Sequence, residues 1–180
     1  MNRRPRVGIS RCLTGEPVRH DGGHKLEAQV VDALGPEVEW VEVCPEVEAG
    51  MGVPREPIQL VASATPPGIR IVGVRSGADW TERMAAWSAA RVGELAGLGL
   101  SGFVLKARSP SCGPREVPVH PAAESGGTPM ATDRGRFADA LVRALPGLPV
   151  EDEERLRDPE TLRAFLDRVR SFQRRFRSEP

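Results

Sequence analysis

The sequence lacks a net charge, a long apolar run and an export signal. Lys plus Arg and Asp plus Glu each number 25. No overall electrostatic field therefore draws the molecule to nucleic acid or to a membrane, although a local basic patch is compatible with this balance. No stretch approaches the roughly 18 consecutive apolar residues of a membrane span. The first residues, MNRRPRVGIS, contain no apolar core of a signal peptide. We expect a soluble cytoplasmic protein with no membrane partner.

Cysteine is scarce and odd in number: the chain has only Cys12, Cys44 and Cys112. An odd count without an export signal argues against a disulfide framework. Inert buried thiols, a single nucleophile and a metal site remain as alternatives. A structural zinc site usually shows C-x-x-C pairs, which this sequence lacks. Only three histidines could complete a Cys₃His site, namely His20, His24 and His120.

Strand and helix patterns alternate along the 180 residues. Strands are predicted at 6–10, 38–43, 101–107 and 148–150, with a hairpin at 58–64 and 69–74. Helices are predicted at 24–34, from Asp79 to about 97, at 134–144 and from Asp158 onward, and residues 114–133 are expected to be irregular. This order predicts an α/β fold: a single Rossmann-like layered domain over 1–150, with a mostly parallel sheet and flanking helices, and a C-terminal amphipathic helical extension over 151–180.

Each cysteine follows shortly after a predicted strand. In open α/β sheets, ligands bind in the crevice at the carboxyl ends of the strands, so the three loops that carry Cys12, Cys44 and Cys112 can converge. Soft thiolates select zinc, Cu(I) or iron–sulfur clusters. Three cysteines on separate loops suit a cluster held at three corners with its fourth iron open. The spacing alone leaves structural thiols and a lone nucleophile as alternatives.

The residues around the cysteines resemble a known family. The segments SRCLTGEPVRHDGGH (10–24), CPEVEAGMGVPREP (44–57) and KARSPSCGP (106–114) are similar to the signature segments of the thiouracil desulfidase family. Residues 77–95 and 148–169 resemble the longer members, in which a second domain follows the desulfidase domain. The resemblance differs at His20, where the family usually has Tyr. The chain also ends after the helix that leads into the second domain, as expected of a truncated form or of a stand-alone variant.

The resemblance implies a 4Fe–4S cluster on Cys12, Cys44 and Cys112 and a non-redox removal of sulfur from a thiolated pyrimidine. The substrate would be thiouracil or thiouridine, and the products hydrogen sulfide and the oxo-pyrimidine. Residues 1–150 would then be the cluster-binding desulfidase domain. The attacking water needs a base, and Glu46 is the candidate, with a structural alternative in which it caps its loop. Ser109 could hydrogen-bond the substrate or shuttle a proton, and it could equally serve only its turn.

Several polar residues of the same segments are candidate substrate ligands: Ser10, Arg19, Asp21, Arg55, Lys106 and Ser111. Arg19 and Arg55 could hold a pyrimidine oxygen, or a phosphate if the substrate is a nucleotide. Arg19 and Asp21 could instead pair only to fix their loop. Lys106 could donate to cluster sulfur, to the substrate or to a loop carbonyl.

Two other functions are alternatives to desulfidation. A cluster-dependent tRNA sulfur-transfer protein would need ATP, but the sequence has no phosphate-binding P-loop motif. A zinc-stabilised domain without catalysis is the second alternative. The terminal helix carries apolar residues at helical spacing, the last of them Phe176, and arginines up to Arg177, so that one face is apolar and the other basic. Beyond packing on its own domain, it could contact RNA, a missing domain or the mate of a homodimer.

Overall fold

The computed structural model of the chain describes residues 4–64, 66–121 and 128–177, with the side chains of Phe176 and Arg177 excepted. The strands are β1 Arg6–Ser10, β2 Glu39–Val43, β3 Ile58–Ala64, β4 Pro67–Gly73, β5 Leu100–Leu105, β6 Val117–His120, β7 Ala131–Asp133 and β8 Val150–Asp152. The helices are α1 Ala28–Leu34, α2 Pro45–Glu48, α3 Thr81–Gly97, α4 Arg136–Ala144, α5 Glu153–Leu156 and α6 Pro159–Arg177, and a 3-10 turn covers Arg11–Thr14. Within the described residues, no helix is both long and apolar enough to cross a membrane.

Sheet A has the strand order β2-β1-β5-β8, and every pairing in it is parallel. The central strand β5 is buried along its whole length, as expected for a parallel strand covered on both faces. The predicted α/β fold with a mostly parallel sheet and flanking helices is confirmed by this arrangement.

Helices cover both faces of sheet A. Phe103 and Leu105 of β5 pack with Val92 of α3 and Phe137 of α4. Val104, which points to the opposite face because side chains alternate along a strand, joins a second core that holds residues of α1 and α6. The core residues of that second face include Val7, Ile9, Val30, Leu34, Phe165 and Val169.

Sheet B has the order β4-β3-β6-β7. The predicted hairpin is confirmed, since β3 and β4 pair antiparallel; Thr65 in its turn lies outside the described residues. The expectation that 114–133 is irregular was wrong in part, because β6 pairs parallel with β3 and β7 pairs antiparallel with β6. Residues 122–127 of that stretch also lie outside the described residues. Sheet B packs its own apolar core against Met84 of α3.

Several predicted element boundaries were wrong, among them those of α1, α4 and β8. Helix α1 begins at Ala28 rather than 24, because Lys25 and Glu27 donate their N–H groups to the carbonyls of Cys12 and Leu13 instead of to a helix. Helix α4 begins two residues later than predicted. A Cβ on Gly135 would lie 2.6 Å from the Ser111 carbonyl oxygen, so the chain reaches the helix through a close backbone contact. Strand β8 lies at Val150–Asp152 rather than 148–150.

Helix α6 begins at Pro159 as predicted, and Asp158 accepts hydrogen bonds from the N–H and the hydroxyl of Thr161. Its apolar face is buried at Phe165, Val169 and Phe172. Phe176 and Arg177 were also predicted to contribute to this amphipathic helix, but their side chains lie outside the described part of the structure.

Candidate active site

One cavity of about 510 Å³ opens at the carboxyl ends of the sheet A strands. Cys12 lies in the 3-10 turn after β1, Cys44 directly after β2, and Cys112 in the loop after β5. These strands are neighbours in the order β2-β1-β5, so their loops leave the same edge. All three cysteines line the cavity, and none is in a disulfide.

The thiols are held in surroundings that disfavour a free thiolate. Burial, followed by the negative charge of Glu46, raises the pKa of Cys12 to about 11 and that of Cys44 to about 12. The same two causes raise the pKa of Cys112 well above its usual range, although a hydrogen bond with Ser10 opposes them. Reactive cysteines have lowered pKa values, so these thiols are poorly suited to act as a lone nucleophile. Inert buried thiols and metal ligands remain as roles, and the position of all three thiols in one cavity favours metal ligands.

The donor set indicates what kind of metal centre fits. In the described part of the chain, no group of three or more His, Cys, Asp and Glu side chains has the geometry of a single-ion site. Three thiols that line one cavity, each from a separate loop, match a polynuclear group in which each thiolate binds a different metal atom, whereas a structural zinc site needs a fourth protein ligand.

Glu46 lies beside the thiols in the first turn of α2. The Cys44 thiol donates to its Oε2 at 3.6 Å, and the same oxygen is 3.9 Å from Nη2 of Arg55. Both side chains are mostly buried, with 13% and 9% exposed. Nη1 of Arg55 donates to the carbonyls of Val18 and Gly52 at 3.0 and 2.8 Å. Arg55 is therefore fixed by the backbone and holds the carboxylate over the cavity.

The serines of the signature segments occupy different positions. Ser109 lines the cavity, and its Oγ accepts from the N–H groups of Ser111 and Cys112 at 3.3 and 3.1 Å. Since no acceptor for its hydroxyl proton lies among the described residues, that proton can be donated to a ligand. Ser10 also lines the cavity, accepts from the N–H of Lys106 at 3.0 Å and hydrogen-bonds Cys112. Ser111 is fully buried and does not line the cavity.

Arg19 lines the cavity, whereas Asp21 does not. Nε of Arg19 is 3.5 Å from Oδ1 of Asp21, whose side chain is 56% exposed. The same oxygen accepts from the N–H of Gly23 at 3.0 Å. Asp21 therefore fixes its own loop and reaches the cavity only through Arg19.

Sequence reasoning missed a set of residues from the α5 region that also line the cavity. Glu153 pairs with Lys106, Glu154 pairs with Arg108, and Nη2 of Arg157 lies 2.6 Å from Oε2 of Glu27. The only local signal is the acidic run EDEE at 151–154, directly after a predicted strand end. These ion pairs tie the helical segment after β8 to the loops that carry Cys12 and Cys112.

The chain is similar to a solved structure and to a curated protein. A chain described as a 4Fe–4S-dependent thiouracil desulfidase, TudS, superimposes with a TM-score of 0.68 and 31% identity, over 89% of this chain and 97% of that one. An uncharacterized protein of Bacillus subtilis (strain 168), YbbK, is 31% identical over 108 residues, which are 58% of this chain and 71% of YbbK.

The model of one protein family covers most of the chain. It is described as 2-thiouracil desulfurase and matches residues 7–153. The match spans every cysteine segment, sheet A, sheet B and the beginning of α5. The chain belongs to the 2-thiouracil desulfurase family.

Proposed function

We propose that this enzyme binds a 4Fe–4S cluster through Cys12, Cys44 and Cys112 and removes sulfur from a thiolated pyrimidine. The observation that carries the proposal is the convergence of three thiols, from the loops of three adjacent parallel strands, on one cavity. When bound, such a cluster would supply an open iron that acts as a Lewis acid toward the thiocarbonyl sulfur.

Glu46 is the proposed general base. Its Oε2 lies 3.6 Å from Sγ of Cys44, so a substrate bound beside the cysteines would lie within reach of a water that the carboxylate holds. The carboxylate would take a proton from the water that attacks the thiocarbonyl carbon. Arg55 keeps it in place through the contact at 3.9 Å. The product is the oxo-pyrimidine, and the sulfur leaves as hydrogen sulfide.

Ser109, Arg19 and Lys106 are the proposed substrate contacts. Ser109 has a hydroxyl proton to donate to a pyrimidine oxygen or nitrogen, since its oxygen already accepts two backbone N–H groups. Arg19 is held by Asp21 at the wall of the cavity. Ser10 and Arg55 are engaged by the protein itself, so we assign them to the Cys112 sulfur and to Glu46 rather than to the substrate.

We propose thiouracil and thiouridine as the substrates. The name of the family supports the free base. The cavity of about 510 Å³ falls within the range of sites for small organic ligands, which supports a nucleoside as well. The rates of sulfur removal from the two compounds show which of them is the better substrate.

The domain arrangement and the cellular setting are part of the proposal. We assign residues 1–150 to the desulfidase domain and 151–180 to a helical extension whose apolar face packs on it. The arginines on the outer side of α6, such as Arg163 and Arg175, support a contact with RNA. A homodimer through the same helix is the alternative. A reducing cytoplasm suits three unpaired cysteines.

The experiment is an anaerobic incubation of reconstituted protein with thiouracil and, separately, with 4-thiouridine. Loss of the thiocarbonyl absorbance together with an equal release of sulfide is the expected result for at least one substrate. A reconstituted protein that leaves both substrates intact would overturn the proposed reaction. Titration of the loaded protein with tRNA, and its mass in solution, test the two proposals for α6.

A further inference from the structure

A buried carboxylate forms part of the cavity wall. Glu153 is only 2% exposed and begins the short helix α5, directly after the edge strand β8. Since β8 pairs with β5 in register Leu105↔Asp152, the next residues of the two strands, Lys106 and Glu153, lie side by side where the strands end. The pairing of β5 with β8, and not a surface loop, therefore places Lys106 beside Glu153.

Both carboxylate oxygens of Glu153 accept hydrogen bonds from the segment that follows β5. Oε1 accepts from Nζ of Lys106, and Oε2 accepts from the N–H of Ala107 at 2.7 Å. Nζ of Lys106 also donates to the Ala107 carbonyl at 3.1 Å. One carboxylate thus fixes the side chain of Lys106 and the backbone beside it. A buried charge is retained only where such partners satisfy it.

Lys106 connects this pair to the cysteines. Its backbone N–H donates to Oγ of Ser10 at 3.0 Å. Both Lys106 and Ser10 line the cavity together with the three cysteines. A contiguous path therefore runs from Glu153 through Lys106 to Ser10 in the wall of the cysteine cavity.

We propose that Glu153 is a positioning residue that holds the Lys106 ammonium against the cavity wall beside the cysteines. Without the carboxylate, the only acceptor left to Nζ among those described is the Ala107 carbonyl, and the flexible side chain can swing out of the cavity. The kinetic consequence rests on the proposed function, whereas the placement of Lys106 does not.

The chain offers a direct probe of this placement, because Lys25 and Lys106 are its only lysines. Lys25 is exposed, whereas the Lys106 side chain is 17% exposed. An amine-acylating reagent followed by mass spectrometry reads both lysines in one sample, with Lys25 as the internal reference. In the Glu153→Gln variant, acylation of Lys106 relative to Lys25 should rise several-fold, because Nζ loses its charged partner. Glu154→Gln, which breaks the neighbouring pair with Arg108, should leave the ratio at the wild-type value.

The kinetic measurement uses the reconstituted protein with thiouracil. Glu153→Gln should keep the iron content and visible spectrum of the wild type, while kcat falls by about 10²-fold with a smaller change in KM, as expected when a catalytic-site group is misplaced. In a Lys106→Met background, Glu153→Gln should cost no further activity, because both changes remove the same interaction. The double variant should be more stable than Lys106→Met alone, which leaves Glu153 buried without its partner.

These measurements test the positioning role of Glu153 separately from the proposed function. Unchanged acylation of Lys106, additive losses in the double variant, or activity that simply follows thermal stability would overturn the positioning role. If Glu153→Gln does not fold, two other comparisons test the positioning role. One compares Lys106→Met with the double variant Lys106→Met/Glu153→Gln. The other uses Glu153→Asp, which keeps the charge and should keep the acylation of Lys106 low. An inactive wild type would contradict the proposed function, while the acylation ratios would still support or overturn the placement of Lys106.

Discussion

The two sheets of this molecule differ in what leaves their strand ends. From sheet A, the loops after β1, β2 and β5 carry Cys12, Cys44 and Cys112 to one cavity. The segment after β8 supplies the carboxylate of Glu153. Sheet B borders the same cavity only through residues that precede or begin β3, such as Glu56 and Ile58, and its own core is apolar. The parallel sheet thus carries the cysteines and the proposed base, whereas the segment that leads into the mixed sheet supplies a wall and Arg55, which holds that base.

The largest expected effect comes from removing a cysteine on the sheet A side. Cys112→Ala should lose iron and desulfidation together, because Cys112 is one of only three thiols at the cavity. Iron content and the visible spectrum after anaerobic reconstitution measure the loss. Ser111→Ala is the matched control: its buried hydroxyl finds no hydrogen-bond partner in the described part of the chain, so its removal should leave the iron content unchanged. Normal iron in Cys112→Ala would contradict the assigned ligands.

Glu46→Gln should separate the chemistry from the binding of the cluster. The amide cannot take a proton, so kcat should fall by about 10²–10⁴-fold, the usual contribution of a general base, while iron content stays normal. Glu48→Gln on the same helix is a useful contrast. Glu48 accepts from the Cys44 N–H and pairs with Arg11 and Arg91, so its loss should lower thermal stability and leave kcat near the wild-type value. A Glu46→Gln enzyme with a normal rate would remove Glu46 from the mechanism.

In sheet B, a core substitution should cost stability without affecting the chemistry. Leu60 is completely buried, and Leu60→Ala should lower the free energy of unfolding by about 2–5 kcal/mol. Denaturant titration gives this cost, and the iron content of the folded protein should match that of the wild type. Loss of iron from a folded Leu60→Ala protein would break the proposed division between the two sheets.

The smallest effect is expected at the start of α3. Asp79 accepts from the Thr81 N–H at 2.9 Å and pairs with Arg70. Asp79→Ala removes this hydrogen bond and should cost about 1 kcal/mol, which lowers the melting temperature by about 2–4 °C in a chain of this size. Although partial burial raises the pKa of Asp79, the hydrogen bonds with Thr81 and the charge of Arg70 outweigh it and lower the pKa below its usual value.

The sign of the pH dependence at Asp79 follows from that lowered pKa. A carboxyl whose folded pKa is below its unfolded value stabilises the protein above the unfolded pKa and loses that contribution as pH falls through the folded one. The difference in melting temperature between wild type and Asp79→Ala should therefore be largest near neutral pH and shrink below about pH 4. A difference that grows on acidification would contradict this account.

Sheet A and the convergence of the three cysteines could be predicted from local hydrophobic patterns in the sequence. The buried run of β5 and the strand before Cys44 are visible in the sequence, and parallel connection then brings the loops together. The strands β6 and β7 were missed because they are short, lie among Pro and Gly, and depend on pairing with the distant β3. Glu153 was missed for the same physical reason. Its partner Lys106 is 47 positions away, and no local pattern records a contact set by the register of β5 with β8.

The most direct test of the cluster-dependent reaction is an anaerobic assay of iron, sulfide and thiouracil turnover on a single reconstituted sample of the wild-type chain. We predict about four irons per chain, as in a 4Fe–4S protein, and a turnover that rises in proportion to the iron content of the sample. Turnover in an iron-free sample, or a chain that takes up one zinc ion and no iron under these conditions, would contradict it.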